Sequence, residues 1–153
     1  MSTPFIGLSS AAKGRERLYA YQCNTAGLKE GAVFMFDSAA AGQLVKAPTG
    51  TAVKGVAGVL ADVVNAATGT VVGTDINLQK DGIANVLLSA GETVAEGQGL
   101  VTKGTDGSVM GFVKATHKDC DIVGYSEVAR TAGGGSNELI PARIEITYVG
   151  DMS

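Results

Sequence analysis

The strongest constraint on the fold is a stretch that occurs twice. Residues 90–115 read Ala-Gly-Glu-Thr-Val-Ala-Glu-Gly-Gln-Gly-Leu-Val-Thr-Lys-Gly-Thr-Asp-Gly-Ser-Val-Met-Gly-Phe-Val-Lys-Ala. This is a turn, a short strand, a tight Asp-Gly hairpin and a second strand. Residues 26–47 are a weaker copy. Both copies begin Ala-Gly, pass through Glu-Gly (Glu30-Gly31 and Glu96-Gly97), and end in an apolar residue followed by Val-Lys-Ala. After the Val-Lys-Ala ends come Gly55–Leu60 and Gly124–Ala129, which extend the repeat to 26–60 and 90–129. The pattern describes one β-hairpin unit used twice.

Composition supports a β-rich body. Gly is frequent at 22 of 153 residues, aromatics are only 5% and Trp is absent. Small and β-branched residues broken by Gly suit many short strands joined by tight turns. Hydrophobic residues make up 45% of the chain, too many for a disordered one. At this length one domain is expected, burying roughly 70% of its unfolded surface.

The net charge of −3 makes no general case for nucleic acid binding. Its distribution is uneven. Residues 1–17 hold Lys13, Arg15 and Arg17 against Glu16, a net +2, and residues 18–153 hold 9 basic and 14 acidic side chains, a net −5. Residues 1–17 read as an extended N-terminal arm, with Pro4 blocking regular pairing. The arm carries Phe5, Ile6 and Leu8 close together, which predicts docking on the body or on a neighbour, the neighbour being slightly favoured. Residues 18–153 form the β-rich domain.

The expected strands recur every 8–12 residues or so, the spacing of a sandwich or barrel. Residues 17–23 alternate Leu18, Ala20 and Gln22 against Tyr19, Tyr21 and Cys23. Strands follow at 32–36, 43–47, 70–78, 83–88, 122–129 and 139–149, with the apolar run 53–64 as the best candidate for a buried strand. Lys80-Asp81-Gly82 and Asp106-Gly107 are read as hairpin turns. Residues 39–42 and 61–67 offer weak helical alternatives. Tyr19, Tyr21, Phe34 and Phe36 read as core rather than as a base-stacking stripe.

Chemistry-bearing clusters are sparse. Cys23 and Cys120 make no disulfide framework, and a free-thiol reading is the default. His117, the single histidine, and Cys120 fall in His-Lys-Asp-Cys-Asp. That is short of the four ligands of a zinc site, and it reads as a polar turn rather than a nucleophile and its base. No phosphate-binding glycine motif is present. No catalytic, cofactor or metal residue is therefore assigned, and no enzyme activity is expected. The N-terminal residues lack the charged start and long apolar stretch of a signal peptide. No apolar run approaches the roughly 18 residues of a membrane helix. Synthesis in a cytoplasm is expected, with no membrane partner.

Two resemblances bear on function. Gly91–Gln98 is similar to the turn motif of lipoyl and biotinyl carrier domains, which place a modified lysine between two such motifs; Lys80 lies between the copies here. The flanks of Lys80 match neither family's lysine motif, and the copies lie too far apart for that compact fold.

The wider likeness covers most of residues 18–149. It runs through Lys46-Ala47-Pro48, Val53–Val59, Thr70–Ile76, Asp81–Val86, the Gly-Glu-Thr-Val turn at 91–94, the Asp106–Val109 hairpin, and Ile122–Ala129 before a Gly-rich loop and a final strand. In this pattern the chain resembles the small capsid decoration (cement) proteins of tailed bacteriophages. It departs from them in its long arm before Arg17 and in Ser126-Glu127, where an apolar strand is commoner.

The resemblance implies an all-β domain, a β-sandwich or β-barrel-like body of short antiparallel strands. It implies a structural virion protein on the outer capsid surface, usually a homotrimer, that bridges neighbouring major capsid subunits. Its partners would be the major capsid protein and itself, with no nucleic acid and no cofactor. Phe5, Ile6, Leu8, Lys13, Arg15 and Arg17 are the expected capsid or intersubunit contacts. The runner-up is a phage receptor-binding or fibre-associated β module, with a carrier domain behind it.

Overall fold

The computed structural model describes residues 18–37 and 44–150. The expected arm 1–17, its six contact residues, and the weak helical turn at 39–42 lie outside the described residues. Among those described there is no helix, and hence none long and apolar enough to cross a membrane. The fold is all-β.

Ten of the strands form two closed five-stranded barrels. The first contains β1 (Leu18–Cys23), β2 (Val33–Phe36), β3 (Leu44–Lys46), β4 (Val56–Leu60) and β5 (Asp75–Gln79). The second contains β6 (Asp81–Leu88), β8 (Gly99–Thr102), β9 (Val109–Gly111), β10 (Cys120–Ser126) and β12 (Glu138–Val149). Inserted between strands of the second barrel, β7 (Thr93–Val94) and β11 (Arg130–Thr131) pair as a small separate ribbon.

The barrels are the same structure built twice. The first closes in the order β1-β3-β2-β4-β5 and the second in the matching order β6-β9-β8-β10-β12. In each, the first and third strands run parallel (β1 with β3, β6 with β9) and the other pairs are antiparallel. Backbone hydrogen bonds repeat at equivalent places. Asn24 N donates to Val45 O at 2.8 Å and Ser89 N to Val109 O at 2.9 Å. Leu60 N donates to Ala32 O and Ser126 N to Gln98 O, both at 2.9 Å. Ala61 N donates to Asn77 O and Glu127 N to Pro141 O, both at 3.0 Å. The Glu-Gly turns also match: Gly31 and Gly97 both take φ of 80°, a left-handed conformation that costs glycine little, and each donates to the end of the fourth strand of its barrel.

The register equates individual residues. Phe34 faces Gly58 and Leu100 faces Gly124. Leu60 faces Leu78 and Ser126 faces Ala142. Leu78 faces Tyr19 and Ala142 faces Ala84. Phe36 faces Val45 and Thr102 faces Val109. The register therefore sets Leu18–Gln79 against Ile83–Arg143, with β6 starting earlier and β12 running on beyond the matched segment. Val45 corresponds to Val109, not to Val113 of the second Val-Lys-Ala, and Gly58 rather than Gly55 corresponds to Gly124.

Each barrel is filled by its own side chains, as small closed barrels are. The first holds Cys23, Leu28, Phe34, Val45, Ala57, Leu60, Ile76 and Leu78. The second holds Val86, Leu88, Leu100, Val109, Val123, Ile140, Ala142 and Ile144. Val33, Val56 and Val59 belong to the first barrel's strands but pack in the second barrel's cluster. This explains why β4 is apolar throughout and wholly buried: it faces one core on one side and the other core on the other.

The Lys80-Asp81-Gly82 turn is not a hairpin. β5 pairs with β1 and β4, and β6 pairs with β12 and β9, so this turn passes the chain from one barrel to the next. The Asp106-Gly107 turn does join a pair, β8 and β9. Residues 61–67 form no helix, and the 70–78 strand starts only at Asp75.

Candidate functional site

The junction of the barrels shows how one face of this unit engages another. Residues 31–33 reach the second barrel where β6 and β9 meet: Leu87 N donates to Gly31 O at 3.2 Å, and Val33 N donates to Gly107 O at 2.9 Å. The loop before β4 adds to this. Ala52 N donates to Thr102 O at 2.8 Å, and Thr102 Oγ1 donates to Gly50 O at 3.1 Å. Asp121 Oδ2 accepts from Gly55 N at 2.9 Å and Val56 N at 3.0 Å. The first barrel thus covers the mouth of the second, where Ala84, Val86 and Thr102 lie buried.

The first barrel's own mouth has no such cover among the described residues. Tyr19, Tyr21 and Phe36 occupy the positions of Ala84, Val86 and Thr102. Tyr21 and Phe36 meet edge to face, with ring centroids 5.7 Å apart. Lys80, at the turn between the barrels, sets its ammonium 4.4 Å from the Tyr19 ring centre, 5.1 Å from Tyr21 and 5.3 Å from Phe36. A cation over aromatic faces at this range is attracted by the ring quadrupole. Tyr19 and Phe36 are 38% and 37% exposed, so the result is an open aromatic cup. The aromatics read together as core therefore divide: Phe34 fills the barrel, and the other three line its rim. Lys80 is half-buried against these rings, and no hairpin carries it.

A second apolar surface lies on the second barrel. Val101, Cys120 and Ile122 are buried there, with Met110, Phe112, Tyr125 and Val149 half-buried around them. Beside it, Phe112, His117, Lys118, Tyr148 and Val149 line an open cavity of about 280 Å³. His117 is buried and its Nδ1 accepts from Val113 N at 2.9 Å. Burial lowers its pKa and keeps the ring neutral. Burial, then the neighbouring Asp121 and Asp119 carboxylates, push the Cys120 thiol up. A protonated thiol is a poor nucleophile, and the His117 nitrogen that accepts the Val113 bond is already engaged. Cys23 and Cys120 are free and buried in separate clusters. Among the described residues, no group of three or more His, Cys, Asp or Glu side chains could hold a metal ion.

No protein-family profile matches the chain, and no curated protein is significantly similar to it. The described residues present two apolar surfaces, an aromatic cup with one cation and a patch flanked by Lys114 and Lys118.

The cup was missed in the sequence. Its signal was Tyr-x-Tyr on a first strand whose partner strand ends at Gln79, just before Lys80, which puts a cation beside the rings.

Proposed function

We propose that this protein is a structural virion component that binds the outer surface of an assembled phage capsid and bridges neighbouring major capsid subunits. The reading is carried by the resemblance of residues 18–149 to capsid decoration proteins. The architecture is in keeping with such a mechanical role. Closed barrels leave few free strand edges, and two barrels with interlocked cores form a stiff body. Contacts then come through barrel mouths and loops, where the aromatic cup and the Phe112 surface lie. The cup opens on the strand that follows directly from the arm, whose Phe5, Ile6, Leu8, Lys13, Arg15 and Arg17 are the proposed capsid or intersubunit anchors.

The test is to mix purified protein with undecorated capsids and with whole virions and to image both by electron cryo-microscopy. Regular density on the shell at symmetry-related capsomer junctions is expected. Density at the tail alone would replace the reading with a receptor-binding or fibre-associated module. Deleting residues 1–14 is expected to weaken capsid binding while leaving the body folded; full binding by the truncated protein would remove the arm from the mechanism.

A further inference from the structure

We infer, independently of the capsid reading, that the β9–β10 connection is an acid-released flap: His117 latches residues 112–119 over a face of the second barrel, and a proton on its ring opens that face.

The second barrel keeps covered the face that the first barrel uses. Gly99 faces Tyr125 as Val33 faces Val59, so the register equates these pairs. In the first barrel both valines are buried and pack into the other core. In the second barrel the chain supplies its own cover. Phe112 N donates to Gly99 O at 2.7 Å, and the Phe112 side chain packs against Val101, Cys120 and Ile122. Arg143 sets its guanidinium 5.2 Å from the Tyr125 ring centre.

The flap is pinned at its two ends. At one end Phe112 holds Gly99 O, and Gln98 Nε2 donates to Phe112 O at 3.3 Å. At the other, Asp119 takes φ of 52°, a left-handed conformation that a non-glycine residue holds at a cost, and its carboxylate accepts from Tyr148 Oη and Lys54 Nζ. Among the described residues, no hydrogen bond or ion pair ties residues 113–118 to the rest of the molecule. Their bonds are internal. Thr116 N and His117 N donate to Val113 O at 3.0 and 2.8 Å, and Val113 N donates to His117 Nδ1 at 2.9 Å. His117 is the one buried residue of this span, its ring centre 5.9 Å from that of Phe112. The histidine therefore closes the turn and also seats it on the barrel.

A proton on Nδ1 removes the acceptor, and a charged ring is costly to keep buried. The groups around it do not compensate. Lys114 and Lys118, on the flap, line the same cavity as the ring, so the proton adds to their positive charge. The Asp119 carboxylate is engaged by Lys54 and Tyr148, the titratable group that β12 brings to the cavity. Asp121, at the start of β10, is engaged by the Gly55 and Val56 amides, and Cys120 beneath the flap stays a neutral thiol. Burial lowers the His117 pKa while the flap is shut; with the flap lifted the ring meets water and recovers its ordinary basicity. The open form therefore takes the proton first, and acid favours opening.

The two cysteines report on this directly. Cys120 is buried under the flap and Cys23 is buried in the first barrel's core, so one reads local opening and the other global unfolding. The full chain would be labelled at pH 7.5 and at pH 5 with dithiodipyridine, which still reacts with thiols in mild acid, and each cysteine quantified by peptide mass spectrometry. The ratio of Cys120 to Cys23 labelling is expected to rise about fivefold in acid, the factor for one such hydrogen bond, and to stay flat in His117→Gln. An unchanged ratio, both thiols rising together, or a rise that survives in His117→Gln would each overturn the proposal. If His117→Gln does not fold, amide exchange in the unmodified chain decides. Residues 113–118 are then expected to lose protection in acid, relative to the intrinsic rate, while β4 and β12 keep theirs. Protection lost everywhere together, or kept at 113–118, overturns the flap.

Discussion

The two barrels share a backbone and differ in what fills it. At equivalent inward positions the first barrel has Leu60 and Leu78 where the second has Ser126 and Ala142. The first has Tyr19 and Tyr21 at its mouth where the second has Ala84 and Val86. The large residues stand where a mouth is open, and the small ones where a neighbouring barrel brings its own valines. Ser126 spends its hydroxyl locally, donating to Val128 O at 2.6 Å. The comparison teaches that hydrogen-bond geometry and turn glycines define this unit, while side-chain volume records which faces are covered.

Val33, Val56 and Val59 interlock the two cores, so damage to one barrel will reach the other. Phe34 is 0% exposed and is matched by Leu100, also 0%. Phe34→Ala is expected to cost about 3–5 kcal/mol and Leu100→Ala about 2–5 kcal/mol. In Phe34→Ala, amide exchange measured by mass spectrometry should rise in β4 and in β6 together. Faster exchange confined to the first barrel would show that the two unfold separately.

Asp121 is the sharpest single link between the barrels. Its carboxylate accepts two amides from the other barrel, and Lys54 binds the adjacent Asp119 at 3.1 Å. Asp121→Ala leaves the buried Val56 amide without an acceptor, while the exposed Gly55 amide turns to water, at a cost of about 1–3 kcal/mol. Chemical denaturation should show this loss, whereas Lys54→Ala, at an exposed ion pair, should change stability by less than about 1 kcal/mol. Equal losses would mean that the charge, not the amide bonds, holds the junction.

Gly58 and Gly124 test the shared backbone. A Cβ on Gly124 would fall against the carbonyl of Arg143, and one on Gly58 would lie 2.9 Å from the carbonyl of Gln79. Backbone cannot step aside as a flexible side chain can. Gly124→Ala and Gly58→Ala are each expected to lose about 1–3 kcal/mol, read as a fall in thermal midpoint. If one is neutral, the two crossings are not equivalent.

Much of the fold was legible because strand signals are local. Alternation located β1, the apolar run located β4, and the spacing of Glu-Gly turns exposed the duplication. Pairing was harder to read, since an Asp-Gly turn specifies a change of direction but not the partner of each strand. At Lys80-Asp81-Gly82 closure of the two barrels overrode the hairpin reading. The repeat's register slipped because the β3–β4 and β9–β10 connections take different paths, one bridging to the other barrel and one folding over its own as Phe112 and His117. The two surfaces stayed hidden for a related reason: whether Tyr19 or Tyr125 is covered depends on which barrel has a neighbour, and alternation alone carries no such information.

That β9–β10 connection gives the smallest effect and the most specific one. His117 Nδ1 must be unprotonated to accept the Val113 amide. Burial lowers its folded pKa below the ordinary 6.5, so the unfolded chain takes up the proton first on acidification. The histidine's contribution is therefore present above pH 6.5 and is lost as pH falls through the lower folded pKa. The loss should be about 1 kcal/mol, the worth of one such bond. Asp106 also titrates below its ordinary value: burial raises its pKa, but hydrogen bonds from Ser108 and Asn137 outweigh this and hold it below 3.8. Denaturation midpoints measured from pH 7.5 down to pH 5 isolate the histidine. His117→Gln should flatten the profile in that window. The matching loop of the first barrel, which has no histidine, should show no change in amide exchange beyond the intrinsic pH dependence over the same range. A slope that survives in His117→Gln would assign the pH response elsewhere and remove this difference between the two barrels.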